Sequence, residues 1–442
     1  MTRKAKQPAL DVWMNGELTG RWKVSPHVGH EFAYAQSWLD SAQARPISLS
    51  MPLGPADVAF RGERVEAFFD NLLPDSPKIR ERVQARVGAQ STKAIDLLAE
   101  IGRDCAGALQ FLPADSPPPK VDLIESEPLT ESQVADMLRS RTSPAALGQS
   151  RDGDDIRLSL AGAQEKTAFL KHAGRWQLPK GATPTTHIFK LPMGEVGSFK
   201  GDLSTSVENE WLCSIIAREF GLEAANCEMA RFEDQPVLIV ERFDRRISPD
   251  GKWWLRLPQE DMCQALGTPK GIKYESEGGP GASEILNLLM GAKAPAADRS
   301  RFFKTQVLFW MLCAPDGHAR NFSVFIEREG KFALTPLYDV ISAYPLVGHG
   351  KNKLAKEKVK LGMAVRAGHK HYEWDRIMRR HWTDAARKEG LGESVEQILS
   401  DLSGSVEAVV TKVASGLPVG FPDSVADPVL SGMRKASKRL MP

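Results

Sequence analysis

Cys313-Ala314-Pro315-Asp316-Gly317-His318-Ala319-Arg320-Asn321-Phe322, followed by Tyr338-Asp339-Val340, is the stretch on which the fold assignment turns. Asp316 precedes Asn321 by five positions, and Asp339 follows Asn321 by eighteen. Phosphoryl-transfer enzymes use this arrangement: a carboxylate takes the attacking hydroxyl's proton, an amide five residues on holds a metal, and a later Asp completes the metal contact. Between the two ends, Ser323-Val324-Phe325-Ile326 and Phe332-Ala333-Leu334 flank Arg328-Glu329-Gly330, which predicts a hairpin. A hairpin returns its ends to one place, so Asn321 and Asp339 are candidates to share one Mg²⁺. A surface loop ahead of an ordinary hairpin could also carry Asp316, His318 and Asn321. The Asp at the far hairpin end favours the phosphoryl-transfer reading.

Working outward, the 442 residues allow two or three domains. Apolar content of 42% and charged content of 26% suit a globular chain with real cores. No apolar run approaches the ~18 residues that span a membrane, and Met1-Thr2-Arg3-Lys4-Ala5-Lys6 lacks an apolar signal core. The five cysteines (Cys105, Cys213, Cys227, Cys263, Cys313) form no Cys-x-x-Cys pair, which predicts reduced thiols and a cytoplasmic protein. Net charge is only +2, so nucleic-acid contact would need a local patch. Between Lys351 and Arg380 ten Lys/Arg face three acids. That run reads either as a solvated surface or as a phosphate-backbone contact.

The organisation predicted is α+β: a small N-terminal α+β domain (1–145), a kinase-like small lobe (150–245) and a largely helical large lobe (246–442). In the first unit, Leu10–Met14, Phe32–Tyr34 and Ile47–Met51 read as strands, Val65–Arg86 and Ala94–Ile101 as helices, and Ala108–Leu112 as a strand. Ser116-Pro117-Pro118-Pro119 punctuates it, and Thr130 with Gln133 predicts a capping box opening a helix. Gly148–Asp155 is a second polar boundary.

Strand patterns at Ile156–Leu160 and Thr167–Leu170 flank Ala161-Gly162-Ala163-Gln164-Glu165-Lys166, a loop whose N–H groups could receive phosphates although it lacks a Walker A pattern. A plain β-turn fits the same residues. His187–Pro192 reads as a strand with Lys190 on one face, where kinases place the lysine that pairs with the α- and β-phosphates. The next helix is predicted to open at Thr205 with Glu208 as its capping acid and Val207, Trp211 and Ile215 as its apolar stripe. Glu208 is also placed to face Lys190, but capping alone explains it. Val237–Val240, running into Glu241-Arg242-Phe243-Asp244, fits an interlobe hinge whose backbone could bind adenine at Glu241 and Phe243.

Several long segments, in order, resemble the HipA family of toxin kinases. They are Asp70-Asn71-Leu72-Leu73-Pro74-Asp75-Ser76-Pro77, Glu100-Ile101-Gly102-Arg103-Asp104, Ser159-Leu160-Ala161-Gly162-Ala163-Gln164-Glu165-Lys166-Thr167-Ala168 and Thr185-Thr186-His187-Ile188-Phe189-Lys190-Leu191-Pro192. Glu241-Arg242-Phe243-Asp244-Arg245-Arg246, Leu257-Pro258-Gln259-Glu260-Asp261-Met262-Cys263-Gln264 and Lys273-Tyr274-Glu275-Ser276-Glu277-Gly278-Gly279-Pro280-Gly281 continue it. The resemblance covers nearly the whole chain.

It implies a bilobal protein-kinase-like fold with a phosphoinositide-kinase-like catalytic loop, and an ATP- and Mg²⁺-dependent Ser/Thr kinase. Asp316 would be the catalytic base, Asn321 and Asp339 the metal ligands, Lys190 the phosphate-pairing lysine and 161–166 the phosphate loop. Glu241, Arg242, Phe243, His318, Ala319, Arg320 and Tyr338 would complete the nucleotide site. Ser159 falls on the autophosphorylation position. Arg320 replaces a family lysine, and the family's DNA-facing basic pair falls on Arg387 and Gly390, the second of which departs, with Lys388 as its candidate substitute. Implied partners are a HipB-like helix-turn-helix antitoxin, operator DNA through that complex, a second copy of the chain on DNA, and an aminoacyl-tRNA synthetase substrate, foremost the glutamyl enzyme; no membrane is implied. Two rival readings are a phosphoinositide-kinase-like enzyme and a non-catalytic co-repressor with a kinase shell.

Overall fold

Alternation along Ala9–Met14 turns Leu10, Val12 and Met14 to one face, where they meet Trp22, Phe32, Tyr34 and Phe111. The computed structural model describes residues 9–142, 158–159, 164–392 and 394–441. In the N-terminal unit an antiparallel sheet runs in the order Phe60–Arg61, Gly29–Tyr34, Glu17–Ser25, Ala9–Met14, Leu109–Pro113. Helices Glu63–Asp70 and Ala94–Ile101 cover it, with Phe69 stacked on Trp22 at 4.1 Å.

Two expectations for this unit are corrected. The helix expected over Val65–Arg86 is two helices, Glu63–Asp70 and Pro77–Val87. Pro74 interrupts the first, and Ser76 caps the second by accepting from the Ile79 N–H, with Pro77 in the first turn. The turn between them carries Asn71 and Asp75. Ile47–Met51 is not a strand: only Ser48 and Met51 bridge, and the Tyr34 hydroxyl donates to the Met51 carbonyl at 2.5 Å.

The small-lobe sheet has six strands, in the order Cys227–Phe232, Gln235–Glu241, His187–Lys190, Lys166–His172, Arg175–Pro179, Ser126–Pro128. Helix Glu131–Thr142 packs Val134, Ala135 and Leu138 against Phe169, Phe189 and Ile239 of that sheet. Residues 126–142, grouped by sequence with the N-terminal unit, thus lie on the small lobe. The predicted capping box is present: the Thr130 N–H reaches Gln133 Oε1 at 2.8 Å, and the Gln133 N–H reaches Thr130 Oγ1 at 3.2 Å. Helix Ser206–Glu219 packs Val207 with Leu238 and Val240 of the Gln235–Glu241 strand and sends Leu212, Cys213 and Ile216 into the large-lobe core.

The large lobe is built on helices Pro295–Met311, Arg379–Lys388, Ser394–Ser415 and Asp423–Lys438 around one core. Trp310 and Trp374 each donate an indole N–H to the other's carbonyl, at 2.9 and 2.7 Å. The hairpin expected after Asn321 forms from Ser323–Ile326 and Phe332–Leu334, with Val324 opposite Leu334. No helix among the described residues is long and apolar enough to cross a membrane.

The N-terminal unit is joined to the lobes by a buried ion network. Asp104 meets Arg245 at 2.8 Å and Arg242 at 3.3 Å, while Arg242 also holds Asp244 at 2.9 Å. The Gly107 N–H donates to Asp244, and the Arg242 and Arg245 guanidiniums both donate to the Cys105 carbonyl. Burial raises the cost of the charged carboxylates, but the surrounding guanidiniums overcome it, and both Asp104 and Asp244 end below the usual carboxylate range. Two segments noted for their family resemblance therefore have an architectural role. The Leu158–Ser159 strand lies parallel to Asp104–Cys105 beside this network, with Ser159 opposite Cys105.

Candidate active site

Lys190 ends its strand pointing into the cleft between the lobes. Its ammonium donates to Glu210 Oε1 at 2.6 Å and to Asp339 Oδ1 at 2.9 Å. Glu210 comes from helix Ser206–Glu219, and Asp339 from the segment after the hairpin. Both Lys190 and Glu210 are buried. Burial would lower the Lys190 pKa, yet Asp339 and Glu210 outweigh it and raise it, so the lysine stays charged. For Asp339 the balance is again against burial: Lys190 and Lys166 hold its carboxyl well below the usual range. Asp339 sits at φ 61°, a left-handed conformation that a non-glycine residue keeps only where its surroundings hold it.

Lys166 stands directly opposite Lys190 in the antiparallel ladder, so both side chains leave the same face. Burial, only partly offset by Asp339, brings the Lys166 pKa down to about 8. The cleft thus carries two lysines against two carboxylates, a balance suited to receiving the extra negative charge of a polyphosphate.

The helix acid that faces Lys190 is Glu210, not Glu208. Thr205 makes no side-chain cap, and two positions along a helix turn a side chain about 200° round the axis. Glu210 carries no motif of its own, and Glu208, two positions earlier, offers the same charge at a capping position.

The catalytic loop is held from within. Asn321 Nδ2 donates to the Asp316 carbonyl at 2.7 Å, and the His318 N–H to the same carbonyl at 2.8 Å. The Tyr338 hydroxyl donates to the Arg320 carbonyl at 2.9 Å and accepts from Ser323 Oγ at 2.5 Å. These bonds dock the Tyr338-Asp339 segment against the loop that carries Asn321. The Asp316 side chain is 56% exposed, with His318 Nε2 3.7 Å from its Oδ1. Burial depresses the His318 pKa, so its imidazole is neutral near pH 7.

An amide oxygen from Asn321 and a carboxylate from Asp339 are hard donors of the kind Mg²⁺ takes. Among the described residues no group of three His, Cys, Asp or Glu could hold a metal alone. The two protein donors fit an ion whose other ligands are phosphate oxygens and water, which is the usual Mg²⁺ arrangement in phosphoryl transfer.

Other predicted nucleotide residues are placed differently. Ala161, Gly162 and Ala163 lie outside the described residues. Gln164 donates to the Leu191 carbonyl at 2.6 Å, and the Glu165 side chain pairs with Arg82 of the N-terminal unit. Glu241 is exposed and tied to Asn226, and the Phe243 ring lies 5.8 Å from that of Tyr338. The Arg242 side chain is committed to the Asp104 network, and Ala319 is buried in the large-lobe core. Arg320 is likewise turned away from the cleft: Nη1 pairs with Asp75, Nη2 donates to the Asn71 carbonyl at 2.7 Å, and Nε lies 3.3 Å from Asp261. Its guanidinium, brought down to about 10 by burial, remains protonated at neutral pH. Asp75 also pairs with Lys273 at 3.0 Å, and Tyr274 next to it donates to Asp316 Oδ1. Neither Asp75 nor Tyr274 was singled out by sequence chemistry.

The side chain of Ser159, like Ala161, Gly162 and Ala163, lies outside the described residues. Arg387 and Lys388 are exposed near the end of their helix, Arg387 pairing with Asp384 at 2.9 Å. Part of the basic run is already engaged, Lys370 with Glu275 at 3.0 Å and Arg379 with Glu396. Four of the five cysteines are buried thiols, and all five are free.

Residues 158–410 match the family described as HipA-like C-terminal domain, and residues 10–112 the HipA N-terminal domain. A Sinorhizobium fredii protein named as a kinase, Y4mE, is 35% identical over 76% of this chain and 78% of its own length. The serine/threonine-protein kinase toxin HipA of Shewanella oneidensis is 26% identical over 70% of this chain and 69% of its own. The fold matches that of the Shewanella oneidensis HipA solved with HipB and operator DNA, with TM-score 0.77 over 97% of both chains and 22% identity. With both of its domains matched and its cleft carrying a lysine paired to a helix glutamate and a left-handed aspartate, this chain belongs to the HipA family of serine/threonine-kinase toxins.

Proposed function

We propose that this chain transfers the γ-phosphoryl group of ATP to a serine or threonine hydroxyl of a partner protein, with Asp316 as the base. The observation that carries the reading is the Lys190 ammonium held between Glu210 and Asp339 beside the Asp316–Asn321 loop. Lys190 and Lys166 would receive the phosphates, and Asn321 with Asp339 would hold Mg²⁺, which neutralises charge on the transferring group. Asp316, the exposed carboxylate of the loop, would take the proton of the attacking hydroxyl. His318, neutral and packed behind it, would add no competing cation.

In the cell the kinase would act as the toxin of a toxin–antitoxin pair. Its substrate would be an aminoacyl-tRNA synthetase, foremost the glutamate enzyme, whose phosphorylation would halt charging and induce dormancy. Autophosphorylation at Ser159 would switch it off, because a phosphoserine brings about −1.5 to −2 charges beside the loop that must receive ATP. With a helix-turn-helix antitoxin it would co-repress its operon on DNA, self-associating there, with Arg387 and Lys388 as candidate backbone contacts. It would reside in the cytoplasm and with the nucleoid when in that complex.

The test is a phosphoproteomic comparison after brief expression of the active protein and of Asp316→Ala. The active protein should add phosphate to one or a few translation proteins and to Ser159, and Asp316→Ala to none. Equal phosphorylation in both samples would remove Asp316 from the chemistry. Asp339→Asn should still fold but lose Mg²⁺-dependent nucleotide affinity.

A further inference from the structure

The Tyr274 hydroxyl donates its proton to Oδ1 of Asp316, the carboxylate proposed above as the base. The phenol is not a wandering surface group. Its ring stands edge-on to His318 at 5.0 Å, and the Lys273 ammonium lies 5.5 Å from the ring centre. Lys273 is anchored to Asp75, the same carboxylate that holds Arg320 of the catalytic loop. The loop behind Tyr274 is equally fixed. A Cβ on Gly279 would stand 2.0 Å from the Ile272 carbonyl oxygen, and one on Gly281 would stand 2.3 Å from the Glu275 carboxyl. Glu275 itself accepts from the Ala364 N–H at 2.7 Å and pairs with Lys370. Burial and the adjacent Asp316 raise the Tyr274 pKa, so the phenol keeps the proton it donates.

An exposed carboxylate poised beside a γ-phosphate has a competitor for its intended substrate. Water can use the same base: its oxygen attacks the γ-phosphorus, the bond to the ADP oxygen breaks with its electron pair leaving on ADP, and Asp316 takes the proton. We infer that Tyr274 determines acceptor specificity by capping Asp316 Oδ1, which weakens the carboxylate as a base towards water until a docked protein hydroxyl displaces the phenol. The inference rests on Asp316 being the base. It assigns the Lys273–Gly281 segment to acceptor selection, and it makes Asp75 the link that seats the cap and the catalytic loop on one carboxylate.

The measurement is steady-state release of inorganic phosphate from Mg²⁺-ATP by the full-length protein, with no protein acceptor. Tyr274→Phe keeps the ring and removes the donor, and it should hydrolyse ATP roughly tenfold faster than the unmodified chain, about what one hydrogen bond to an ionised group is worth. Tyr274→Leu serves the same comparison should the Phe variant prove unstable. Hydrolysis at or below the wild-type rate in a folded variant would overturn the cap. The double variant Tyr274→Phe/Asp316→Ala separates the two claims. Its activity should collapse, whereas hydrolysis as fast as in Tyr274→Phe alone would mean that Asp316 is not the base.

Discussion

Asp75 of the N-terminal unit grips Arg320 of the catalytic loop with one carboxylate oxygen and Lys273 of the Tyr274 loop with the other. The kinase centre is therefore not self-contained. Two of its loops take their position from a turn in another domain, between the helices Glu63–Asp70 and Pro77–Val87.

Arg320→Ala should destabilise the protein by about 3–5 kcal/mol, because it leaves Asp75 and Asp261 facing a buried void where a cation stood. Arg320→Lys should recover only part of this, since one ammonium cannot span Asp75, the Asn71 carbonyl and Asp261 together. Thermal or urea unfolding measures both. A melting point for Arg320→Ala equal to wild type would show that the domains do not depend on this pair.

Glu210→Gln should reduce phosphoryl transfer by about 10²-fold while Glu208→Gln stays within about twofold. The first removes the buried counter-charge that orients Lys190, an effect of the size seen when a positioned charge partner is lost. Kinase assays at varied ATP concentration distinguish them. Equal losses in both variants would contradict the assignment of the helix acid.

Lys166 gives nucleotide binding a pH signature. Its pKa in the folded protein is about 8, so above that pH it is largely neutral. Phosphates arriving beside it favour the charged form, so ATP binding at pH 8.5 should take up as much as about three-quarters of a proton. Calorimetric titrations in two buffers of different ionisation enthalpy reveal the uptake. Lys166→Met should bind more weakly and without it, whereas Lys190→Met, which removes a positive charge that helps hold the Lys166 pKa down, should weaken binding and shrink the uptake.

Glu260 predicts a pH dependence of stability. It is buried and accepts from the Leu49 N–H at 2.7 Å. Burial pushes its pKa from 4.5 up to about 8. The folded state thus retains a proton that the unfolded chain releases, and between those values this group's contribution to stability falls as pH rises. Glu260→Gln, which mimics the protonated carboxyl, should melt close to wild type at pH 5. At pH 8 it should be more stable by a few kcal/mol, since holding the proton against a tenfold drop in its concentration costs about 1.4 kcal/mol. A difference that does not widen with pH would show that Glu260 is ionised in the fold.

What the sequence by itself determined was local. The hairpin after Asn321, the strand bearing Lys190, the capping box at Thr130 and the order of the chemical groups along the catalytic loop follow from spacings of a few residues. The continuous motifs also carried the family. Tertiary structure decided which of those groups meet. Glu210 rather than Glu208 reaches Lys190 because of how helix Ser206–Glu219 is rotated: Val207 packs with Leu238 and Val240 of the Gln235–Glu241 strand, while Leu212, Cys213 and Ile216 enter the large-lobe core. Arg320 faces Asp75, 245 positions away, because the chain breaks at Pro74 and the turn it forms lands on the catalytic loop. Arg242, spaced like a hinge residue, is drawn into the Asp104 cluster, since a buried guanidinium must have carboxylates around it. Periodicity encodes how a segment folds against its neighbours in the chain. Which distant charge it answers depends on the angle and depth at which whole elements pack, and no spacing within one segment contains that.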